Sequence, residues 1–226
     1  MNLQEAFDFL NFWINKYTGA WYTIPELELV VDRGQMSLYE DLQPQYAISQ
    51  RVKDALTPFR ARYNFLPIDN PTGLITVPNS NYINLLDLQI TYTDSSGRLN
   101  YTPIKMYNED ERANRLMSQI NPVTPQLPIG EVSGFAQFQL YPEVPYTGTV
   151  TYFRRPTKPV FGYTVQGGRV IVYDPLTSVQ LEWAENWHNA ILMKALSSIG
   201  INIGEQDVLQ YAELKNQSNF TSQNMV

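Results

Sequence analysis

Cysteine is absent from the 226 residues. That excludes disulfides, thiolate zinc sites and thiol nucleophiles, and it fits a reducing compartment. Histidine occurs once, at His188. A single imidazole leaves most transition-metal sites short of ligands and hangs any Ser-His-Asp arrangement on that residue. Charged side chains are scarce, at 17% of residues against roughly 25% in an ordinary domain. Their balance is −6, with a pI near 4.8. Nonspecific nucleic-acid binding runs on basic patches and is disfavoured as the main task. An acidic surface can still line a DNA channel, where repulsion keeps DNA from sticking. No apolar run approaches the roughly 18 residues of a membrane span. Residues 1–10 lack the basic region and small-residue cleavage site of a secretory signal. The expectation is a protein without a membrane partner that stays in the cytoplasm or is packed into a particle there.

Polarity comes instead from Asn, Gln, Ser, Thr and Tyr. Fifteen Tyr and four Trp supply large contact area at modest entropy cost and are favoured at interfaces. The length suffices for one large domain or two small ones.

Residues 2–18 read as a helix, with Asn2 and Glu5 as a capping box and Gly19 as the stop. Leu3, Phe7, Leu10, Ile14 and Tyr17 share a face, and Phe9, Phe12 and Trp13 widen it. Such a helix is buried from more than one direction, in its own chain or against the next. A second helix starts near Pro25, behind Thr23 and ahead of Glu26. Gly34 within it permits close helix approach or marks a kink. A third covers 49–56 and stops at Pro58.

The middle turns to strands at 74–77, 82–93, 99–106, 135–141, 149–154 and 169–173. Asp94-Ser95-Ser96-Gly97 is a hairpin turn. A short helix is expected at 109–120 and a proline-rich loop at 121–130. Helix returns at 177–200 through a Thr177–Gln180 capping box, roughly 33 Å long. A last helix at 205–216 precedes a polar tail. The pattern predicts an α+β fold: terminal helices form a small bundle, and a central antiparallel β-sandwich-like domain lies between them. The expected parts are 1–66 (bundle), 67–175 (β-rich), 176–216 (bundle) and 217–226 (arm).

Few constellations point to chemistry. Glu182, Glu185 and His188 carry a Glu-x-x-His half-site whose second half is missing, so a plain helix face is the favoured reading. Glu109, Asp110 and Glu111 suit a helix N-terminus. Gly200 and Gly204 lack the ending of a phosphate loop. Trp183 and Trp187, one turn apart, favour core packing over interface anchoring. Arg154 and Arg155 form the most basic local spot and read as a subunit contact. The polar tail 217–226, with Phe220, Met225 and Val226 as its main apolar groups, reads either as a disordered end or as an arm that orders on a neighbouring copy with Phe220 as anchor. No catalytic group, metal or cofactor is expected. The candidate contact residues are Phe9, Phe12, Trp13, Arg154, Arg155, Phe220 and Val226.

Several strings occur in a fixed order. They are Asp32-Arg33-Gly34-Gln35-Met36-Ser37-Leu38-Tyr39, Ile120-Asn121-Pro122-Val123-Thr124-Pro125, Gln139-Leu140-Tyr141-Pro142, Arg154-Arg155-Pro156 through Phe161-Gly162-Tyr163, and Val172-Tyr173-Asp174-Pro175 leading to Gln180-Leu181-Glu182-Trp183. Ala212-Glu213-Leu214-Lys215-Asn216-Gln217 closes the set. Together they resemble virion proteins of crAss-like podoviruses across nearly the whole chain. The resemblance implies a non-enzymatic ring or adaptor subunit of the head–tail connector, assembled in the host cytoplasm. The implied partners are further copies of itself, typically as a dodecamer, together with the portal protein and the neighbouring tail ring. DNA would pass through the channel without sequence-specific binding. The competing readings are a carbohydrate-binding β-sandwich module of a tail part and, last, a hydrolase using acidic pairs with His188.

Overall fold

The computed structural model describes residues 1–78, 81–94, 96–167 and 170–201. Along the chain run α1 (Leu3–Thr18), α2 (Ile24–Leu42), α3 (Gln50–Leu56), β1 (Arg60–Phe65), β2 (Leu74–Thr76), β3 (Tyr82–Thr93), β4 (Leu99–Pro103), β5 (Lys105–Met106), α4 (Glu109–Leu116), β6 (Ile129–Gly134), β7 (Gln137–Tyr141), β8 (Thr147–Arg154), β9 (Tyr163–Gln166), β10 (Val170–Tyr173) and α5 (Glu185–Ser198). The class is α+β, as the sequence pattern implies. The expected helix 205–216 and the tail lie outside the described residues.

The chain divides into two units, residues 1–58 with 156 onward, and residues 59–155. The boundaries therefore fall at 58/59 and 155/156 rather than at 66/67 and 175/176. Residues 60–65 form β1, paired with β8 along its whole length. Residues 156–175 belong with the helices. Their hairpin, β9–β10, is a separate two-stranded sheet. Phe161 stacks on Phe7 at 4.8 Å, and the Phe161 N–H donates to the Glu28 carboxylate at 2.9 Å.

In the helical unit, Asn2 and Glu5 close the capping box on α1, and Gly19 ends it with φ +67°. Thr23, Pro25 and Glu26 open α2 as expected. Gly34 serves close approach: a Cβ there would stand 2.5 Å from the Ile191 carbonyl oxygen and 2.8 Å from the Ala195 Cβ. The expected long helix 177–200 is corrected to α5, 14 residues or about 21 Å. Thr177 caps nothing; its hydroxyl donates to the Asp174 carboxylate at 2.9 Å. Val179 pairs with Val160 as an isolated bridge. The Gln180 side chain is occupied by accepting from the Leu3 N–H. One local bond and two long-range ones thus engage Thr177, Val179 and Gln180 outside any helix, against the local helix signal.

The other unit is a pair of four-stranded sheets, ordered β1-β8-β3-β4 and β2-β7-β6-β5. Their inner faces share one core that includes Phe65, Ile75, Leu88, Ile90, Phe138, Leu140 and Val150. Alternation carries it: on β7, Phe138 and Leu140 are buried while Gln137, Gln139 and Tyr141 are less so, the pattern of a sheet with one wet face. The expected strand 99–106 splits, because the chain crosses from one sheet to the other at buried Ile104. Consequently β4 and β5 lie at one lateral edge of the sandwich, and β1 and β2 at the other. The strand expected over 135–141 starts at Gln137, since Phe135 and Ala136 make the β6–β7 turn, with Ala136 at φ +55°. The short helix stops at Leu116 rather than 120. Strands β1, β6 and β9 have no counterpart among the sequence expectations.

The β3–β4 hairpin is held by Asp94. Its carboxylate accepts from the Ser96 hydroxyl at 2.6 Å, the Arg98 N–H at 2.9 Å and the Asn100 amide at 3.1 Å. Those bonds, Ser96 first, lower its pKa to about 2. A carboxyl depressed in the folded state adds stability above its unfolded pKa of roughly 3.9. That contribution fades as pH falls through the folded value. Thermal melts between pH 5 and pH 2 should therefore show Asp94→Asn losing less stability on acidification than the parent chain; equal losses in both would contradict the assignment.

Candidate interaction surfaces

Chemistry at His188 is constrained by burial. The ring is 6% exposed on the inner side of α5, with Nε2 2.9 Å from the Trp183 carbonyl oxygen. Glu182 precedes the helix, and its carboxylate accepts from the Thr157 N–H at 2.9 Å. Glu185 pairs with the N-terminal ammonium at 3.2 Å. The three residues are thus not one helix face. Trp183 and Trp187 are not on one helix either: Trp183 is buried before α5 begins, while half-buried Trp187 on α5 lies under the Arg51 guanidinium at 5.1 Å. Among the described residues, no group of three His, Asp or Glu side chains could hold a metal ion. No helix among them is long and apolar enough to cross a membrane.

The expected contact residues separate by exposure. Phe9 is 7% and Trp13 1% exposed, so both are used up in packing within the chain; Phe12, at 38%, is the member of the trio that faces solvent. Helical geometry accounts for the split, because Phe12 lies on the outer flank of the apolar face. The Arg154 guanidinium lies 5.9 Å from the Phe59 ring centre, and Arg155 is exposed at the end of β8. Phe220 and Val226 lie outside the described residues.

In the helical unit, a groove of about 500 Å³ runs between α1, the start of α2 and the hairpin, walled by Phe7, Tyr22, Phe161, Tyr163 and Tyr173. Beside it the hairpin leaves Val165, Val170 and Ile171 more than half exposed. A two-stranded sheet exposed in this way is marginal alone.

In the sandwich unit, α4 starts on an Asn108 cap that accepts from the Glu111 N–H at 2.8 Å. Arg112 on that helix holds Glu131 on β6 at 2.5 and 2.6 Å, and the Tyr141 hydroxyl donates to the same carboxylate at 2.9 Å. The network pins α4 to its sheet. The Tyr141 pKa is raised, by burial first and by the hydrogen bond to Glu131 second, against the Arg112 charge, which lowers it. Outward from the helix and the loop behind it stand Met117, 81% exposed, and Ile120, 98% exposed. On the far edge, Leu66 and Ile68 are likewise exposed in the turn after β1, the strand that carries Arg60 and Arg62. Sequence reasoning passed over this second edge. Its signal was readable: Ala61, Tyr63 and Phe65 alternate with Arg60, Arg62 and Asn64 at the period of a strand.

No protein-family model matches the chain. Nor does any curated protein.

Proposed function

We propose that the protein is a structural subunit of an oligomeric ring in a phage head–tail connector, joining portal and tail and continuing the DNA channel. The observation that carries this reading is the gathering of large exposed apolar side chains into separate patches within each unit. Examples are Val165 and Ile171, cross-strand partners on one face of the hairpin, and Met117 and Ile120 behind α4. Contiguous patches of that kind mark surfaces that other proteins cover. Unlike patches on one chain suit a heterologous, closing contact. The resemblance of the ordered strings to crAss-like podovirus virion proteins and the acidic, low-charge composition support the same reading.

The test mixes the purified chain with the portal ring of the phage that encodes it and weighs the complex. One copy per portal subunit, twelve on a dodecameric portal, is the expected result. A chain that binds no portal and is absent from purified virions refutes the proposal.

The tyrosine-walled groove, rimmed by Asp8, Asn11 and Gln4, favours sugar binding as a second reading, though in the helical unit and not in the β-sandwich where the sequence reading placed it, since aromatic faces with amide and carboxylate neighbours suit saccharides. A glycan array without hits removes it.

A further inference from the structure

The sandwich unit has unlike lateral edges. At one edge, β1 carries Arg60 and Arg62 on its outer face, and neither makes an ion pair among the described residues. The nearest carboxylate along the sheet is Asp87, in register with Arg62 across the intervening Thr151. Asp87 accepts from the Gln89 amide at 2.6 Å. Beyond the arginines, Leu66 is 55% and Ile68 84% exposed. Asp69 beside them accepts from the Leu66 N–H at 2.8 Å.

At the opposite edge the charge reverses. Glu109, Asp110 and Glu111 are all exposed in the first turn of α4. Of the three, Glu109 alone has an ion-pair partner among the described residues, Arg112 at 3.9 Å. That arginine is already committed to Glu131. Lys105 stands over the Tyr107 ring at 4.8 Å. The apolar component here is Met117 and Ile120.

We propose that the sandwich units of successive copies pack side by side, the arginine edge of one against the acidic edge of the next. The proposal rests on the ring reading and names its contact. Both halves of the pair are present on every copy, but on opposite edges of one unit, so a copy cannot satisfy itself. Like edges repel, which disfavours a two-fold contact and favours the head-to-tail arrangement from which rings are built. The apolar groups supply burial. Exposed ion pairs add little affinity, and here they set direction and register. A simpler role for the arginines exists: charge on an edge strand deters unwanted strand addition.

The experiment uses the full chain in three forms: parent, Arg60→Glu/Arg62→Glu, and Asp110→Lys/Glu111→Lys. Sedimentation equilibrium follows self-association up to the solubility limit, at low and high salt. The parent is expected to associate, less so at high salt, and each variant alone to associate about tenfold more weakly, a difference of about 1.4 kcal/mol. An equimolar mixture of the two variants should recover parent-like association, because alternating copies restore opposite charges at every contact. Ile68→Glu and Ile120→Glu probe the same edges at exposed positions that leave the α4 cap intact, and each should weaken association as well. A parent that stays monomeric overturns the proposal, as does a mixture that fails to recover. If the chain nevertheless binds the portal at fixed copy number, the ring reading survives with a different contact. Arginines that only guard the edge would leave the charge variants and their mixture indistinguishable from the parent.

Discussion

Gly34→Val should lower the stability of the helical unit by about 3 kcal/mol, at the upper end of overpacking costs. Two effects compete at this position. Glycine inside a helix costs about 1 kcal/mol relative to alanine, so a side chain gains something in principle. Against that gain, even a Cβ would lie 2.5 Å from the Ile191 carbonyl oxygen and 2.8 Å from the Ala195 N–H nitrogen. Both are backbone atoms of α5, and no rotamer change moves them. The helices must separate, opening the interface that buries Val30, Val31, Leu38, Ile191, Leu192 and Ala195. Valine adds two methyls to the clash and is itself a poorer helix former. All four tryptophans, residues 13, 21, 183 and 187, lie in this unit. Urea unfolding followed by tryptophan fluorescence therefore reads the effect directly. Arg33→Ala, at an exposed neighbour on α2, should move the midpoint little. A Gly34→Val midpoint equal to that of the parent would show that α2 and α5 do not meet there.

The same glycine marks how far local sequence rules reach. Gly34 within the string 32–39 announced either contact or a kink, and the partner that decides between them sits more than 150 positions further on. Local signals succeeded where nothing distant competed. The Asn2–Glu5 box, the Gly19 stop, the Thr23-Ile24-Pro25 start and the period-two pattern of 137–141 all describe what their own segments do. They failed over 177–180, where the Thr177 hydroxyl bonds Asp174, Val179 pairs with Val160 and the Gln180 side chain accepts from the Leu3 N–H. For the candidate contacts, the apolar face of α1 was legible, but its use was not. Phe9 and Trp13 are covered from within the chain, while Ile68 and Ile120, inconspicuous in turns and loops, remain open. Exposure of a lone apolar residue depends on what packs over it, and a sequence pattern of period two or 3.6 carries no information about a loop.

Phe138→Ala should cost the sandwich unit about 4 kcal/mol, within the range for removing a buried aromatic from a core that only partly collapses. Phe138 is 0% exposed at the centre of β7. It stands opposite Ile75 on β2 and Val132 on β6, and its ring lies 6.0 Å from that of Tyr82 on the facing sheet. It therefore couples three strands of one sheet to β3 of the other, and neighbours held in ladders on both sides cannot close the gap. The sandwich unit contains no tryptophan, so far-UV circular dichroism and tyrosine absorbance carry its transition. The expected result is a large drop in the denaturant midpoint by those probes. Gln137→Ala on the same strand, partly exposed on the other face, should shift it by a small fraction of that amount. A Phe138→Ala protein as stable as the parent would mean that the two sheets do not share the core assigned to them. The opposite-edge contact would lose its footing with that core, since it is the packing of the two sheets on each other that holds β1 and α4 on opposite sides of one rigid body.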